Sequence, residues 1–335
     1  MKAVVATKYG GPDVVEIVER DAPTVGPSDV LIAVHAASLN PLDFKIRAGK
    51  TKLVLPLSPP IALGCDVAGT VIAIGANVTK FAAGDEVFAR LEKLRMGGLA
   101  EQVAADESVV SKKPATLTFE QAAAIPLAAL TSLQALREHA KATPGQRVLI
   151  HAGAGGVGSL AIQIAKILGL HVTTTTSTKN VDFVRSLGAD DVLDYKKQEL
   201  PPPGSFDAVI DTLGPESELA SIRATKRGGI VVGVGGMPDG PFAAKWMPAW
   251  SRPVVWLITS KRRRAAAKAG VHFEYLFMRP DGAELAELAT WIDAGKLAPV
   301  IHATFPMEKI EDAFAELERG HARGKIVVAI PQRPG

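Results

Sequence analysis

Apolar runs of strand length alternate with helical patterns between residues 147 and 233. The runs typical of strands cover residues 147–151, 170–176, 191–194, 206–211 and 229–233, and those typical of helices cover 156–168, 180–187 and 216–225. Because parallel strands must be joined by long crossovers, usually helices, this alternation predicts an α/β domain with a doubly wound parallel sheet.

Shorter segments that often alternate apolar and polar residues fill the chain before residue 123. They cover residues 1–6, 14–19, 30–37, 67–74, 86–89 and 100–104, with turns rich in Gly, Pro and Asp between them. Many short strands of this kind favour a compact, β-rich, barrel-like domain. Helical patterns at 119–127 and 131–139 separate this β-rich region from the region of alternating strands and helices. After two further helical patterns, at 283–294 and 307–319, a strand at 325–330 is expected to return to the first domain.

The composition narrows the class of protein. A chain of 335 residues can form two domains with sizeable cores, and a formal net charge of +3 gives no argument for a nucleic-acid partner. The single cysteine excludes an internal disulfide framework and a four-cysteine zinc site, which fits a reducing compartment. Neither a signal-peptide pattern nor an apolar stretch of about 18 residues is present, so we expect a cytoplasmic protein without a membrane span.

A glycine-rich loop, Gly153-Ala-Gly-Gly-Val-Gly158, separates a predicted strand from a predicted helix. In this context the pattern is typical of a dinucleotide site, because the helix N-terminus offers free N–H groups to two phosphates. Gly153 would permit the tight turn, Gly155 the approach of a pyrophosphate, and Gly158 close packing of helix on strand. Gly156 and Val157 complete the loop. A glycine turn in another kind of α/β protein is the alternative.

Several further motifs occur in a fixed order around this loop. They are Asn40-Pro-Leu-Asp-Phe-Lys45, Gly64-Cys-Asp-Val-Ala-Gly69, Phe81-Ala-Ala-Gly-Asp-Glu-Val87, Leu187-Gly-Ala-Asp190 with Asp194-Tyr195, and Gly324-Lys-Ile-Val-Val328. With them, essentially the whole chain resembles the zinc-free quinone oxidoreductase branch of the medium-chain dehydrogenase/reductase family. The Asn-Pro-x-Asp-x-Lys form is similar to that of its enone reductase and quinone reductase-like subgroup.

The resemblance implies a fold and a reaction. A Rossmann domain, residues 124–279, would be inserted in a β-rich GroES-like catalytic domain made of residues 1–123 and 280–335. Members of the family often form homodimers. The implied reaction is hydride transfer to a quinone or to a carbon–carbon double bond conjugated to a carbonyl. Two other classes stay open: reduction of enoyl thioesters, and a non-enzymatic role as a crystallin-like or RNA-binding protein.

The end of the second predicted strand of the α/β domain indicates which cofactor binds. NAD sites usually carry an Asp or Glu about 20 residues past the glycine turn, but no acid occurs between residues 153 and 181. The strand ends instead in polar and basic side chains: Thr176, Ser177, Lys179 and Asn180. These side chains suit a ribose 2′-phosphate, which a carboxylate would repel, so we predict NADPH. In the alternative, Lys179 lies in a solvated loop and binds nothing.

Three residues further along the chain are assigned to the same cofactor site. The resemblance places Tyr195 near the 2′-phosphate and the adenine. We also assign Val234, which follows the last predicted strand of the α/β domain, and Lys325, which lies in the Gly324 motif.

The resemblance also indicates that the site holds no metal. Zinc alcohol dehydrogenases of the family bind their catalytic zinc with a Cys, a His and a second Cys, and the first two positions are Asn40 and Cys65 here. A lone thiolate cannot form a three-ligand zinc site, so we expect no metal. Cys65 is then either a small packing residue or a redox nucleophile.

Without a metal, hydrogen bonds must stabilise the negative charge that develops on the carbonyl oxygen of the substrate. Lys45 is the candidate donor, or else it binds the nicotinamide ribose. The resemblance implies that Asn40 orients the nicotinamide amide or the substrate and that Thr131 lies near the nicotinamide. Asp43 is expected to fix the loop or to hold Lys45. Alternatively, Asn40-Pro41 is only a turn and Lys45 a surface charge.

Residues 237–270 combine three tryptophans with a basic run, Lys261 to Arg264. The tryptophans could line a pocket for a flat or lipophilic substrate, or belong to the core or an interface. A run of four basic residues is typical of a solvated helix face, with binding to nucleic acid or to an anionic membrane as the alternative.

Overall fold

The computed structural model describes residues 1–332. Its strands are β1 (Lys2–Ala6), β2 (Val15–Glu19), β3 (Asp29–Leu39), β4 (Ile61–Ala62), β5 (Asp66–Ile74), β6 (Glu86–Arg90), β7 (Gln102–Asp106), β8 (Val110–Lys112), β9 (Arg147–Ile150), β10 (His171–Thr176), β11 (Asp191–Asp194), β12 (Phe206–Asp211), β13 (Thr225–Gly233), β14 (His272–Tyr275), β15 (Ile301–Pro306) and β16 (Lys325–Ala329). Its α-helices are α1 (Pro41–Arg47), α2 (Phe119–Ala123), α3 (Pro126–Gln134), α4 (Gly156–Ile167), α5 (Val181–Ser186), α6 (Pro215–Ala224), α7 (Gly240–Trp246), α8 (Arg252–Ile258), α9 (Ser260–Ala269), α10 (Gly282–Asp293) and α11 (Ile310–Glu318).

The chain divides into two compact units. Unit 1 contains Met1–Leu130 and the chain from Arg279 onward, and unit 2 contains Thr131–Met278. The boundary falls inside α3, which a π-helical turn at Ala135–His139 extends.

Unit 2 contains a parallel sheet with the strand order β11-β10-β9-β12-β13-β14. The order reverses between β9 and β12, as it does in doubly wound nucleotide-binding folds. Leu149, Phe206, Val209 and Val231 of the strands pack in one core cluster with Ile222 of α6. The predicted α/β class with a doubly wound parallel sheet is therefore confirmed.

Unit 1 is β-rich, and β3 is the strand around which its larger sheet is built. This strand pairs in antiparallel fashion with β5, β7 and β16. In the pairing with β16, Ile326 lies opposite Leu39. This register brings Lys325 beside Asn40, 285 positions earlier in the chain.

Several local predictions need correction. The single helix expected at 119–127 is two helices, since Pro126 lacks the N–H that would continue α2 and instead begins α3. Asn40-Pro41 is more than a turn, because Pro41 is the first residue of α1. Within the apolar run from Val271 to Met278, only His272–Tyr275 forms a strand. Residues 237–270, for which the sequence pattern predicted no elements, contain α7, α8 and α9.

Among the described residues, none of the helices combines the length and the apolar character that crossing a bilayer requires.

Candidate active site

The glycine-rich loop of unit 2 connects β9 to α4. A Cβ atom on Gly153 would lie 2.1 Å from Oγ1 of Thr174, and one on Gly158 would lie 2.2 Å from the carbonyl oxygen of Ala152. At Gly155, by contrast, a Cβ would meet nothing closer than 3.3 Å. Gly153 and Gly158 are thus required by packing within the protein, whereas Gly155 leaves room in front of the N-terminus of α4.

Gly153 lies in the turn formed by residues 151–154, where the N–H of Gly155 donates to the carbonyl oxygen of Ala152 at 2.9 Å. The left-handed conformation in this turn belongs to Ala152, with a φ of 53°, and Gly153 is also needed for close packing against β10. Such a conformation is costly for a residue with a side chain and persists only where its surroundings enforce it. The hydroxyl oxygen of Thr175 supplies one such restraint, as it accepts a hydrogen bond of 3.1 Å from the N–H of Ala152.

A buried chain of polar groups supports the same turn. His151 Nδ1 lies 3.1 Å from Oγ1 of Thr175, and Nε2 lies 3.1 Å from Oγ of Ser221, which donates to Oδ2 of Asp211 at 2.7 Å. Burial lowers the pKa of His151, and the charge of Asp211 opposes this only in part. The imidazole is therefore neutral, donating from Nε2 and accepting at Nδ1. The sequence indicated only that His151 ends a strand.

Four predicted cofactor residues lie at the end of β10 or just after it. Thr176 is buried, whereas Ser177 and Lys179 are accessible at the strand end. Asn180 Nδ2 donates to Oγ of Ser177 at 3.4 Å. Tyr195 follows β11, donates its backbone N–H to the carbonyl oxygen of Thr176 at 3.2 Å, and is 62% exposed. The structure thus brings these five residues to one edge of the parallel sheet.

Two other predicted residues of unit 2 lie on different elements. Val234 follows β13, and its N–H donates to the carbonyl oxygen of Asp211 at 2.8 Å. Thr131 lies within α3 and is buried.

A carboxylate also lies at this edge, that of Asp194, which the sequence analysis named within a family motif but not as a site residue. Asp194 ends β11, opposite Thr176, and its Oδ2 accepts a hydrogen bond of 2.6 Å from Oγ1 of Thr178. That hydrogen bond, together with one from the N–H of Lys196 and the charges of Lys197 and Lys196, lowers the pKa of Asp194. The carboxylate is ionised but already has its partners within the protein.

In unit 1, Asp43 holds the start of α1 against the loop before β5. Its Oδ2 accepts a hydrogen bond of 2.7 Å from the N–H of Asn40, and its Oδ1 accepts one of 3.1 Å from the N–H of Gly64. Burial raises the pKa of Asp43 to about 6, although these two hydrogen bonds lower it. Of the two roles considered for Asp43, the structure therefore contains the loop contact and not an ion pair with Lys45.

A buried polar cluster lies beside this loop, and we call Asn40, Asp66 and Lys325 the triad. The ammonium group of Lys325 donates to Oδ1 of Asn40 and, at 3.2 Å, to Oδ2 of Asp66. Asn40 Nδ2 donates to the same carboxylate oxygen at 2.9 Å. All three side chains are buried, so each polar group is held in one position by the other two.

Asp66 is also fixed from two other sides. Its Oδ1 accepts a hydrogen bond of 2.9 Å from the N–H of Leu127, and its Oδ2 accepts one of 3.1 Å from Oγ of Ser38. An ammonium group has three donors, and only two of those of Lys325 have acceptors in the described part of the chain. The third N–H of this buried ammonium group has no acceptor there.

Cys65 packs against the triad. Its Sγ lies 3.5 Å from Nδ2 of Asn40, and the residue is fully buried. Burial raises the pKa of the thiol well above its ordinary value, and the charges of Asp66 and Asp43 raise it further. A protonated, enclosed thiol supports the packing role of Cys65 rather than that of a redox nucleophile.

Lys45 lies on α1 and is half-buried. Burial lowers the pKa of its ammonium group, and the charge of Lys50 lowers it further. Within residues 1–332 no acceptor lies within hydrogen-bond distance of this ammonium group. Lys45 is therefore a half-buried cation with donors to offer.

The described residues contain no group of three or more His, Cys, Asp or Glu side chains placed to hold a metal ion. The resemblance aligns Asn40 and Cys65 with zinc ligands of other family members. The carboxyl oxygens beside them, those of Asp43 and Asp66, already accept hydrogen bonds from the protein.

Comparison with known families gives two matches. A family model described as "Alcohol dehydrogenase GroES-like domain" matches residues 26–115, and one described as "Zinc-binding dehydrogenase" matches residues 187–328. The first match lies in the β-rich unit, as the sequence motifs had implied.

Individual proteins are similar over nearly the whole chain. The human "NAD(P)H oxidoreductase RTN4IP1, mitochondrial" is 35% identical, covering 98% of this chain and 89% of the relative. The Arabidopsis thaliana "NADPH-dependent alkenal/one oxidoreductase, chloroplastic" is 36% identical over 98% of this chain and 79% of the relative. The solved structure of the quinone oxidoreductase from Coxiella burnetii superposes with a TM-score of 0.83 at 34% identity, covering 99% of both chains. The protein therefore belongs to the medium-chain dehydrogenase/reductase family, within its branch of quinone oxidoreductases and alkenal/one reductases.

Proposed function

We propose that this protein is a zinc-free, NADPH-dependent reductase of quinones or α,β-unsaturated carbonyl compounds. The observation that carries the proposal is the buried ammonium group of Lys325, held by Asn40 and Asp66. Asn40 and Cys65 are the residues that the family resemblance aligns with zinc ligands. A fixed cation therefore lies beside the positions where zinc alcohol dehydrogenases of the family hold their metal.

The residues of unit 2 fit a dinucleotide cofactor. Gly155 leaves the N-terminus of the twelve-residue helix α4 open, and a helix N-terminus binds phosphate through free N–H groups and a positive dipole end. The proposed cofactor contacts are Gly153, Gly155, Gly156, Val157, Gly158, Thr176, Ser177, Lys179, Asn180, Tyr195 and Val234. When bound, NADPH supplies the hydride.

The choice of NADPH over NADH rests on the end of β10. Ser177, Asn180 and Lys179 offer donors there. The carboxylate of Asp194, opposite Thr176, accepts hydrogen bonds from the hydroxyl of Thr178 and the N–H of Lys196, and no hydroxyl of a ribose is needed to satisfy it. The Arabidopsis relative is also named as NADPH-dependent.

Two cations are proposed to act on the substrate. Negative charge develops on the carbonyl oxygen when a hydride adds to the conjugated carbon, and a preorganised donor in a site without bulk water stabilises such charge. Lys45 and Lys325 each have an N–H without an acceptor among residues 1–332. Lys45 remains our first candidate for this role, and Lys325, which we first assigned to the cofactor, becomes the second.

The neighbouring residues are proposed to position these cations. The amide of Asn40 is already bonded to Lys325 and Asp66, so we assign it to holding Lys325 rather than to direct contact with the nicotinamide. Asp43 fixes the start of α1 and with it the helix that bears Lys45. Thr131 stays a prediction as a contact of the nicotinamide.

A homodimer and a cytoplasmic location also remain predictions. The family resemblance favours pairing through an edge strand of the parallel sheet, and β14 is such a strand in unit 2. The human relative is named as mitochondrial, so the compartment must be determined for this protein itself.

The proposal is tested by turnover of NADPH with a set of substrates. A quinone, an enone, a trans-2-enoyl thioester and a primary alcohol with NADP⁺ are compared at equal enzyme concentration. We expect turnover with the quinone or the enone and negligible oxidation of the alcohol. Preference for the thioester would move the function to enoyl reduction, and no turnover of any substrate by protein that binds NADPH would favour a non-enzymatic role.

A further inference from the structure

Helix α8 of unit 2 exposes apolar side chains to solvent. Val255 is buried, whereas Val254, Leu257 and Ile258 are 50%, 67% and 56% exposed. These three occupy positions i, i+3 and i+4 of the helix and therefore form one stripe. Trp256, on the flank of the helix, is 60% exposed, and Trp250, just before it, is 69% exposed. We call these five exposed residues the apolar patch.

The apolar patch lies in a segment that carries positive charge only. Between Asp239 and Glu274 there is no Asp or Glu, while Lys and Arg occupy seven positions: Lys245, Arg252, Lys261, Arg262, Arg263, Arg264 and Lys268. The formal net charge of the whole chain is only +3, so the rest of the chain is net negative. The excess of positive charge is therefore concentrated in the segment that bears the apolar patch.

One of these cations is used inside the protein. Arg262 is buried and pairs with Glu218 at 3.0 Å. None of the other six has a carboxylate within 4.0 Å among the described residues. The guanidinium of Arg263 lies 4.2 Å from the centre of the Trp256 ring, which keeps that indole at the surface beside a cation.

The segment combines exposed aliphatic residues, tryptophans and cations without a carboxylate partner among residues 1–332. These are the kinds of side chain that contact the interface of a lipid bilayer. Helices that lie in this interface insert apolar side chains between the headgroups while Lys and Arg contact anionic lipids. Tryptophan is enriched at the same depth. We propose that the apolar patch and its surrounding cations dock this protein on the surface of an anionic bilayer, independently of its catalytic reaction.

Two other occupants fit the surface less well. A nucleic acid would use the cations but leaves no role for the exposed Val254, Leu257 and Ile258. A second copy of the chain, related by a two-fold axis, would bring two segments of like charge together. An anionic lipid surface satisfies both the apolar and the basic components.

The proposal is tested by co-flotation of the full-length protein with phosphatidylcholine vesicles, with and without phosphatidylglycerol, at low and high salt. We expect binding only when phosphatidylglycerol is present, and weaker binding at high salt. Lys261→Glu with Arg264→Glu should weaken partitioning at least tenfold, since each cation near the surface contributes about 1 kcal/mol. Trp250→Ser with Leu257→Ser should weaken it by a similar factor.

A matched double reversal controls for net charge. Lys141 and Arg185 are exposed cations of unit 2 outside the segment, and Lys141→Glu with Arg185→Glu should retain most of the vesicle binding. Thermal unfolding and NADPH affinity check that every variant is folded.

Four results would overturn the proposal. The first is absence of binding to either kind of vesicle. The second is binding that the control reversal weakens as much as Lys261→Glu with Arg264→Glu. The third combines two observations: the unaltered protein is a dimer by light scattering and binds no vesicles, and Trp250→Ser with Leu257→Ser makes it a monomer. This result would assign the patch to a second copy. Binding of a labelled RNA in place of vesicles would assign it to nucleic acid.

Discussion

The ammonium group of Lys325 lies 3.2 Å from Oδ2 of Asp66, and both side chains are buried. The two residues come together because β16 pairs with β3, so that a lysine near the end of the chain reaches a carboxylate at the start of β5. Burying two charges is costly unless each is paired and hydrogen-bonded, and here Asn40, Ser38 and the N–H of Leu127 provide the additional bonds. The result is a fixed cation in a site without a metal cluster among the described residues.

Removing one member of this ion pair should destabilise the protein strongly. Lys325→Met leaves the carboxylate of Asp66 buried without its cation, and we expect a loss of about 3–5 kcal/mol in the free energy of unfolding. Lys325→Met with Asp66→Asn should be more stable than the sum of the single changes predicts, as measured by denaturant unfolding in a double-mutant cycle. Additive effects would show that the two side chains are not coupled.

Lys45→Ala should lower turnover while leaving the affinity for NADPH nearly unchanged. An interaction made mainly in the transition state reduces kcat and kcat/KM together. Steady-state kinetics and cofactor titration measure the two effects, and Lys80→Ala, at an exposed lysine of unit 1, is the matched control. If Lys45→Ala weakens only NADPH binding, Lys45 contacts the cofactor, and if neither quantity changes, its assignment fails.

The unaltered protein should bind NADPH at least about tenfold more tightly than NADH, a difference of roughly 1.4 kcal/mol. Ser177→Asp should reduce or reverse this difference in affinity, because it adds a second carboxylate, besides that of Asp194, where the 2′-phosphate would lie. Ser177 is preferred to Thr176 for this test since Thr176 is buried. Ser186→Asp, at an exposed serine of α5, controls for the added charge. Equal dissociation constants for the two cofactors would refute the assignment.

Stability should depend on pH through Asp43. Its pKa in the folded protein, about 6, is above the ordinary value of 3.8, so the folded protein binds a proton that the unfolded chain releases between these values. The stability contributed by this proton is full below about pH 4 and is lost as the pH rises through about 6. The free energy of unfolding, relative to that of Asp43→Asn, should therefore fall over this range. A relative stability that rises instead would mean that the two backbone N–H groups outweigh burial.

Features carried by local patterns were predictable from the sequence. The strands at Asp191–Asp194 and Phe206–Asp211 have the predicted bounds, and the parallel sheet follows from the alternation of strands and helices. The loop from Gly153 to Gly158 lies between a strand and a helix as predicted. Strong periodicity and glycine punctuation are local signals, and they identify elements without knowledge of the tertiary fold.

Features that depend on distant contacts were not predictable. Lys325 follows Gly324 in a short strand, and only the pairing of β16 with β3 brings it to Asn40 and Asp66. The chain of hydrogen bonds from His151 through Ser221 to Asp211 likewise joins three elements of unit 2. Helices α7, α8 and α9 were missed because prolines and exposed apolar residues obscure the usual amphipathic pattern.

The central claim is that this protein reduces an activated double bond with NADPH and without zinc. The most direct measurement follows the label from NADPH that carries deuterium at its transferable position, with an enone as substrate and enzyme that is analysed for metals as purified and then assayed with and without a chelator. We predict less than stoichiometric zinc, deuterium at the β-carbon of the product, and a rate that neither the chelator nor added zinc changes. Activity that disappears with the chelator and returns with zinc, or label that is absent from the β-carbon, would contradict the account.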